Sequence, residues 1–146
     1  MTIRQAALDD LDLIVPLFDA YRQFYRKPPD TEGARHFVRQ RLQRRESVIL
    51  LAFEGHQAIG FTQLYPSFSS VSMAPIFVLN DLFVAAEGRK QGAGSALLRA
   101  AADFGRSQGA IRLTLQTDLT NRTAQSVYER MGWQRDTVFC SYQLEL

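Results

Sequence analysis

A short segment in the middle of the chain combines residue types that bind an anion at the start of a helix. The segment Arg89-Lys90-Gln91-Gly92-Ala93-Gly94 follows an apolar stretch ending at Val84 and precedes a helix-like run from Ser95. Glycines let the backbone approach a phosphate closely, and the first N–H groups of a helix lack intrahelical partners. Arg89 and Lys90 add positive charge. The segment predicts an anion site, although an ordinary strand-turn-helix connection also explains such glycines.

A pair of polar residues, Asn80 and Asp81, interrupts the most apolar stretch of the chain, which runs from Ile76 to Val84. Neighbouring side chains of a strand point to opposite faces of the sheet. One member of the pair must therefore face a partner, a bulge or a cavity.

The composition indicates one globular domain, residues 1–146, large enough to bury about two thirds of its unfolded surface. A net charge of +2 is too small to indicate a nucleic-acid partner. A local group of arginines is more typical of a solvated helix face than of a polyanion site. The members of this group are Arg35, Arg39, Arg41, Arg44 and Arg45.

The single cysteine, Cys140, cannot form a disulfide within the chain, which is typical of a reducing compartment. No apolar run approaches the ~18 residues of a membrane span, and the N-terminus lacks the layout of a signal peptide. His36 and His56 lack the clustered spacing of a metal site. We therefore expect a cytoplasmic protein without a metal and without a membrane partner.

Hydrophobic periodicity predicts a mixed α/β fold in the order βααβββαβαββ. The predicted elements are a strand at 2–6, a helix with an apolar stripe from Leu11 to Tyr25, a helix from Thr31, strands at 48–53 and 58–65, an irregular segment at 66–75, a strand at 76–84, a helix from Ala93 that Gly109 ends, a strand at 111–117, a short helix ending at Gly132, and strands at 133–136 and 138–144. Pro16 should kink the first helix or delay its start.

The unit between residues 76 and 117 predicts a parallel strand pair with a helical crossover, while hairpins predict antiparallel neighbours. We therefore expect one twisted mixed sheet, mostly antiparallel, of about seven strands flanked by about four helices.

Several motifs together resemble the GNAT superfamily of N-acetyltransferases. The segment 89–94 is similar to that family's acetyl-CoA pyrophosphate motif, Gln or Arg followed by x-x-Gly-x-Gly or Ala. Leu79-Asn80-Asp81-Leu82-Phe83-Val84 resembles the preceding strand, commonly Leu-Glu-Asp-Leu-Tyr-Val. Asn121 with Ala124, then Tyr128-Glu129-Arg130-Met131-Gly132-Trp133, resemble the Asn-x-x-Ala and Tyr-x-x-x-Gly-Phe block.

Two further matches resemble the subgroup that contains diamine acetyltransferases and the small histone and polyamine acetyltransferases. They are Gly60-Phe61 and Tyr21-x-x-Phe24-Tyr25. The similarity covers nearly the whole chain.

This resemblance implies acetyl-CoA as the acyl donor. Backbone N–H groups from Gln91 to Ser95 would hold the pyrophosphate, and the pantetheine arm would pair with the strand backbone at Leu82 and Val84. Asn121 would either contact that arm or cap a helix. The expected donor-binding residues are Leu82, Val84, Arg89, Lys90, Gln91, Gly92, Ala93, Gly94, Ser95, Asn121 and Ala124.

The resemblance also implies direct attack of a neutral amine on the thioester, without an acyl-enzyme. Tyr128 is the candidate general acid for the departing thiolate, although an aromatic residue on a helical stripe is usually core. A backbone N–H near Phe83, exposed by a bulge, would stabilise the oxyanion. Cys140 is not expected to be a nucleophile, because no histidine accompanies it and its predicted strand suits a small buried residue.

The base for this reaction is less defined. An alkylamine, with a pKa near 10.4, arrives protonated. Where diamine acetyltransferases tend to carry a glutamate, this chain has Asn80, which cannot act as a base. Asp81 is the remaining candidate, but it could equally cap a bulge or pair with an arginine. A water chain or Tyr25 could also relay the proton.

Aromatic residues of the first helix and the hairpin could form a substrate mouth or pack on the sheet. The set is Tyr21, Phe24, Tyr25, Tyr65 and Phe68, beside Asn80, with Asp19, Asp30 or Glu32 attracting a cation. The expected acceptor is a primary amine, either polyamine-like or a lysine side chain.

Two alternatives stay open. The acceptor could be an aminoglycoside, an amino acid or a protein N-terminus, or the chain could be a non-catalytic acyl-CoA sensor. A homodimer through the segment 138–144 is also expected, because exposed strands pair at sheet edges.

Overall fold

The computed structural model describes residues 1–146, which divide into two compact units, residues 1–115 and 116–146. The first unit contains β1 (Thr2–Gln5), α1 (Leu11–Phe24), α2 (Thr31–Gln43), β2 (Val48–Glu54), β3 (Gln57–Ser69), β4 (Ala74–Val84), α3 (Ala93–Ser107) and β5 (Leu113–Thr114). Short 3₁₀ helices lie at Leu8–Asp10 and Ala86–Gly88, and the second unit contains α4 (Arg122–Arg130). The predicted element order is confirmed from β1 to α4.

The sheet has five strands in the order β1-β2-β3-β4-β5. The first four pair antiparallel, and β5 pairs with β4 in parallel. Helix α3 connects β4 to β5, as the predicted crossover requires. The mixed, mostly antiparallel sheet is confirmed, with five strands instead of about seven.

Helices cover both faces of this sheet. Every residue of β2 from Ile49 to Phe53 is buried, and successive residues of a strand face opposite sides. Ile49, Leu51 and Phe53 belong to one core with α1 and α2, which contribute residues such as Ile14 and Val38. Helix α3 buries Leu97, Leu98 and Ala101 and also contacts the sheet.

The prediction of an irregular segment at 66–75 is wrong. The antiparallel ladder of β3 and β4 continues to the pair Ser69 and Ala74, and Pro66 lies opposite Phe77. The last β3 residue that pairs with β2 is Leu64, so the chain beyond it has an open edge. Proline is tolerated at such an edge because its missing N–H would face solvent. The prolines therefore lie in the part of the β3–β4 ladder that extends beyond β2.

Of the two effects expected of Pro16, a kink or a delayed start, the delayed start of α1 is wrong. The helix begins at Leu11, directly after the 3₁₀ turn, and encloses Pro16. Its buried residues, including Ile14 and Phe18, pack into the core and offset the proline's lost hydrogen bond. Asp10 precedes the helix but bonds to the Arg4 guanidinium and the Ala7 N–H.

The strand expected at 111–117 is shortened to Leu113–Thr114, and the strands expected at 133–136 and 138–144 are wrong. Only Leu113 and Thr114 pair with β4, which bulges just past this ladder. Further along, the Asp136 carboxylate accepts the N–H groups of Val138 and Phe139 at 2.9 and 3.0 Å. Such a local turn competes with strand pairing. Without a strand face to cover it, Cys140 is exposed, contrary to expectation.

None of the helices combines the length and apolar character that crossing a membrane requires.

Candidate active site

The glycine-containing segment forms a loop whose backbone is open at the start of α3. Gly92 precedes the helix with φ +79°, a conformation that favours glycine, and no atom lies within 4 Å of where its Cβ would be. The first internal bond joins the Ala96 N–H to the Gly92 carbonyl at 3.0 Å. The N–H groups of Ala93, Gly94 and Ser95 therefore have no acceptor within the helix. This donor set fits a phosphate oxygen.

The side chains around this loop make short-range contacts. Arg89 donates from Nε to the Val84 carbonyl at 3.1 Å, which keeps its guanidinium beside the end of β4. Gln91 donates to the Glu87 carbonyl at 3.0 Å. Lys90 is exposed at φ +71°. The predicted residues from Val84 to Ser95 are thus together in one turn, here called the cradle.

A β-bulge lies in β4, where the sequence indicated an irregularity. Gln63 of β3 lies opposite Asp81, and the next pair is Leu64 with Leu79. Asn80 is therefore the extra, unpaired residue of the bulge. Phe83, near which a bulge was expected, lies further along and pairs with Phe61.

Asp81 is the buried carboxylate of the site, with an exposed fraction of 3%. It accepts hydrogen bonds from the side-chain amides of Gln63 and Asn80, the latter at 2.9 Å, and the Tyr21 phenol lies beside it. Burial raises its pKa, and these hydrogen bonds oppose the rise. No ion pair involves Asp81, so the alternative of an arginine partner is wrong.

Gln63 is a site residue that sequence reasoning missed. It is fully buried, and its Nε2 donates to Asp81 Oδ2. Its Oε1 has no hydrogen-bond partner. The only signal in the sequence is a glutamine inside an otherwise apolar stretch of β3.

Two tyrosines lie near this carboxylate. The Tyr21 hydroxyl is 3.4 Å from the Asn80 carbonyl, and its ring meets Phe61 edge-on. Burial and the neighbouring Asp81 raise the pKa of Tyr21. Burial, with a smaller contribution from Asp81, raises the pKa of Tyr65 to about 12. Both phenols are therefore neutral at physiological pH.

A cavity of about 480 Å³ opens between α1 and α2. This volume suits a small organic molecule. Its lining consists of Phe18, Tyr21, Arg22, Tyr25, Lys27, Asp30, Gly33, Ala34 and Phe37. The wall is thus aromatic with charges of both signs.

The predicted substrate mouth is only partly present at this cavity. Tyr21 and Tyr25 line it, whereas Phe24, Tyr65 and Asn80 do not. Phe68 is 77% exposed, because β3 carries it beyond the end of the neighbouring strand β2.

The acidic residues expected at the mouth differ in role. Asp19 is buried and accepts bonds from Arg22, Gln23 and the Asp30 N–H, so it holds the α1–α2 connection together. Asp30 lines the cavity while its side chain caps α2 through the Gly33 N–H at 2.9 Å. Glu32 is exposed in the first turn of α2 and is not in the lining.

The second unit contains the remaining predicted residues on α4. Asn121 caps the helix, since its Oδ1 accepts the Ala124 N–H at 3.1 Å. The Tyr128 ring lies 6.1 Å from the Trp133 ring, and no residue of α4 is buried. Tyr128 is itself partly buried, and its role as the general acid stays a prediction.

Comparisons with known proteins agree on one family. Residues 14–133 match the acetyltransferase (GNAT) family. The chain is 53% identical to an uncharacterized N-acetyltransferase, YhfO, of Bacillus subtilis, over all of this chain and 98% of that protein. It is 30% identical to a probable acetyltransferase of Haemophilus influenzae, over 90% of this chain and 86% of that protein. A crystal structure of a probable acetyltransferase, 43% identical, superposes with a TM-score of 0.95 over 100% of this chain and 98% of the other.

Proposed function

This chain belongs to the acetyltransferase (GNAT) family, and on that premise we propose that it transfers an acetyl group from acetyl-CoA to a primary amine. The proposed acceptor is a small polyamine-like molecule or a lysine side chain. The observation that carries the proposal is a buried carboxylate, Asp81, on the strand that leads into the cradle. Val84, where the cradle begins, is about 10 Å further along that strand.

The cradle supplies the groups that a pyrophosphate requires. Backbone N–H groups from Gly92 to Ser95 would donate to it, assisted by Arg89 or Lys90, whereas the expected Gln91 N–H already donates to the Gly88 carbonyl at 3.4 Å. The pantetheine arm would lie along Leu82 and Val84 as an added strand does. Asn121 and Ala124 are further proposed donor-binding residues. When bound, acetyl-CoA supplies the activated thioester carbonyl.

The chain's own residues would then manage protons and charge. An alkylammonium must lose a proton before it can attack, and Asp81 is the proposed acceptor of that proton. A backbone N–H near Phe83 would stabilise the oxyanion, and Tyr128 would protonate the departing thiolate. Attack is direct, without an acyl-enzyme.

Release of CoA from acetyl-CoA, measured with spermidine, lysine peptides, amino acids and aminoglycosides, tests this function. We expect turnover with the first two and, for Tyr128→Phe, a kcat at least about 10-fold lower with unchanged acetyl-CoA affinity. Tyr142→Phe removes a hydroxyl from a tyrosine that is 92% exposed and is the matched control. Equal turnover in Tyr128→Phe would remove that residue's role.

The alternatives separate in the same assay. Turnover with an aminoglycoside, an amino acid or a peptide N-terminus alone would replace the proposed acceptor. Tight acetyl-CoA binding without turnover on any amine would favour a non-catalytic sensor. Asn80 supports this alternative, because it cannot act as the base that a glutamate at this position would provide.

We further propose that the protein is a cytoplasmic homodimer in which the segment 138–144 contacts a second copy. Val138, Phe139, Tyr142 and Leu144 are 81%, 79%, 92% and 85% exposed. Each aromatic side chain can bury about 150–250 Å², so this segment supplies much of the ~800 Å² per partner of a standard interface. Light scattering should give twice the 16.6 kDa mass of one chain, and the measured mass should be lower for Tyr142→Ser.

A further inference from the structure

The buried carboxylate and the cavity are joined by one side chain. Asp81 is 3% exposed and is not part of the cavity lining. Tyr21 belongs to that lining, and its hydroxyl lies 3.4 Å from the carbonyl of Asn80, the residue whose side chain donates to the Asp81 carboxylate. Resting on the proposed acetyl transfer, we propose that Tyr21 relays the acceptor's proton to Asp81 and that Gln63 positions Asp81 to receive it.

Tyr21 is held in a geometry that suits a relay. Its ring meets Tyr25, Phe61 and Phe83 edge-on, with centroid distances of 5.2, 5.8 and 6.3 Å. Its phenolic oxygen lies 3.4 Å from the Asn80 carbonyl, and the adjacent Asp81 carboxylate is near enough to raise the pKa of the phenol. When this hydrogen points to Asp81, a lone pair of the phenol oxygen remains for a donor in the cavity.

The relay is a balanced double proton transfer. An N–H bond of the ammonium breaks, and its proton goes to the Tyr21 oxygen. The phenolic O–H bond breaks at the same time, and that proton goes to Asp81. The products are a neutral amine, an unchanged phenol and a protonated carboxyl group, so no ionised tyrosine accumulates.

Gln63 can serve both protonation states of Asp81. The amide donates from Nε2 to the carboxylate, while its buried Oε1 has no partner. A buried acceptor without a partner is costly and requires an explanation. Once Asp81 carries a proton, an amide turned end for end would present Oε1 to the new O–H. The unpaired oxygen is therefore the acceptor that the protonated state needs.

The electrostatic surroundings allow Asp81 to take up a proton. Its titratable neighbours are Tyr21 from α1 and Tyr65 from β3, both neutral, and it has no cationic partner. The charged residues of the cavity lining are Arg22, Lys27 and Asp30, of which Arg22 is 3.3 Å from Asp19. Burial thus dominates and raises the pKa of Asp81.

The pH dependence of Tyr21→Phe tests the relay. Without the hydroxyl, only amine that arrives neutral can react, so kcat/KM at pH 7 should fall at least about 100-fold. The loss should shrink as the pH approaches the pKa of the amine, while acetyl-CoA affinity stays the same. Tyr25→Phe removes a hydroxyl from the same cavity and should keep the wild-type pH dependence, whatever its effect on KM.

Gln63→Met tests the positioning role, because methionine has a similar volume and cannot donate to Asp81. Its folding is checked by thermal melting. The hydrogen bond that Gln63 donates to the charged carboxylate is stronger than one it accepts from the neutral carboxyl group, so the pKa of Asp81 should rise by about one unit. Carbon NMR of the Asp81 carboxyl group without substrate measures this pKa, and the low-pH limb of the kcat/KM profile should shift with it.

Each outcome decides a separate point. A wild-type enzyme that acetylates no amine overturns the proposed function and the relay with it. An active wild type with an unchanged pH profile in Tyr21→Phe overturns the relay alone. An unchanged Asp81 pKa in folded Gln63→Met overturns the positioning role.

Discussion

The cradle and the buried cluster around Asp81 lie on the same strand but are built in opposite ways. The cradle is exposed backbone, and its side-chain bonds, such as Arg89 to Val84, span at most five residues. The Asp81 cluster is buried, and its hydrogen bonds join residues 18 and 59 positions apart, as in Gln63 to Asp81 and Tyr21 to Asn80. A phosphate site can thus be encoded locally, whereas a proton site requires the assembled sheet.

The largest expected effect tests whether the two ends of the site, the cradle and the Asp81 cluster, act separately. Asp81→Asn keeps the shape of the side chain but cannot take a proton, so kcat should fall at least about 100-fold. Acetyl-CoA affinity, measured by calorimetry, should stay within about twofold, because the cradle makes no use of this carboxylate. A parallel loss of affinity would show that the two ends are coupled.

A matched glycine pair tests the cradle alone. Gly92 and Gly109 have φ of +79° and +74°, and at neither residue does an atom lie within 4 Å of where a Cβ would be. Alanine at either position should cost about 1–2 kcal/mol of folding stability. Only Gly92→Ala should also weaken acetyl-CoA binding, by about 10-fold, since its Cβ would lie where the phosphate approaches. Equal affinities in both variants would place the phosphate elsewhere.

The pH dependence of stability sharpens the description of the buried end. Because the pKa of Asp81 is raised above 3.8, the folded chain binds this proton more tightly than the unfolded chain. The stabilisation is complete below pH 3.8 and is lost as the pH rises through the pKa that Asp81 has in the folded chain. The melting temperature of wild type relative to Asp81→Asn should therefore decrease across that range. A constant difference from pH 4 to 8 would contradict the raised pKa.

The smallest effect comes from an ion pair away from both ends. The Arg4 guanidinium lowers the pKa of Asp10 to about 2, so this stabilisation is present above 3.8 and is lost as the pH falls through about 2. Asp10→Asn should cost at most about 1 kcal/mol, because the pair is partly exposed. Its kcat and acetyl-CoA affinity should equal those of wild type. A change in either would mean that this variant disturbs the site through the fold.

The same contrast explains what the sequence could predict. The cradle and the helix caps at Asp30 and Asn121 depend on residues within a few positions, and the order of elements follows from local periodicity. The contact of Gln63 with Asp81 depends on the strand register, which no local pattern specifies. The prediction for the segment 66–75 is wrong because prolines indicate a loop unless a strand edge is open, and that edge depends on where β2 ends.

The bulge at Asn80 decides which helix layer Asp81 belongs to. Before it, Phe77 meets Phe104 of α3, and after it, Phe83 meets Tyr21 of α1, although the two positions have the same parity along the strand. The extra residue shifts the phase of β4 by half a period. Deleting Asn80 would remove this shift and turn Asp81 toward α3, away from the cavity, together with Phe83. The gain or loss of one codon is thus the genetic change that moves the carboxylate to the other face of the sheet. A substitution at position 80 keeps the number of residues and therefore cannot do so.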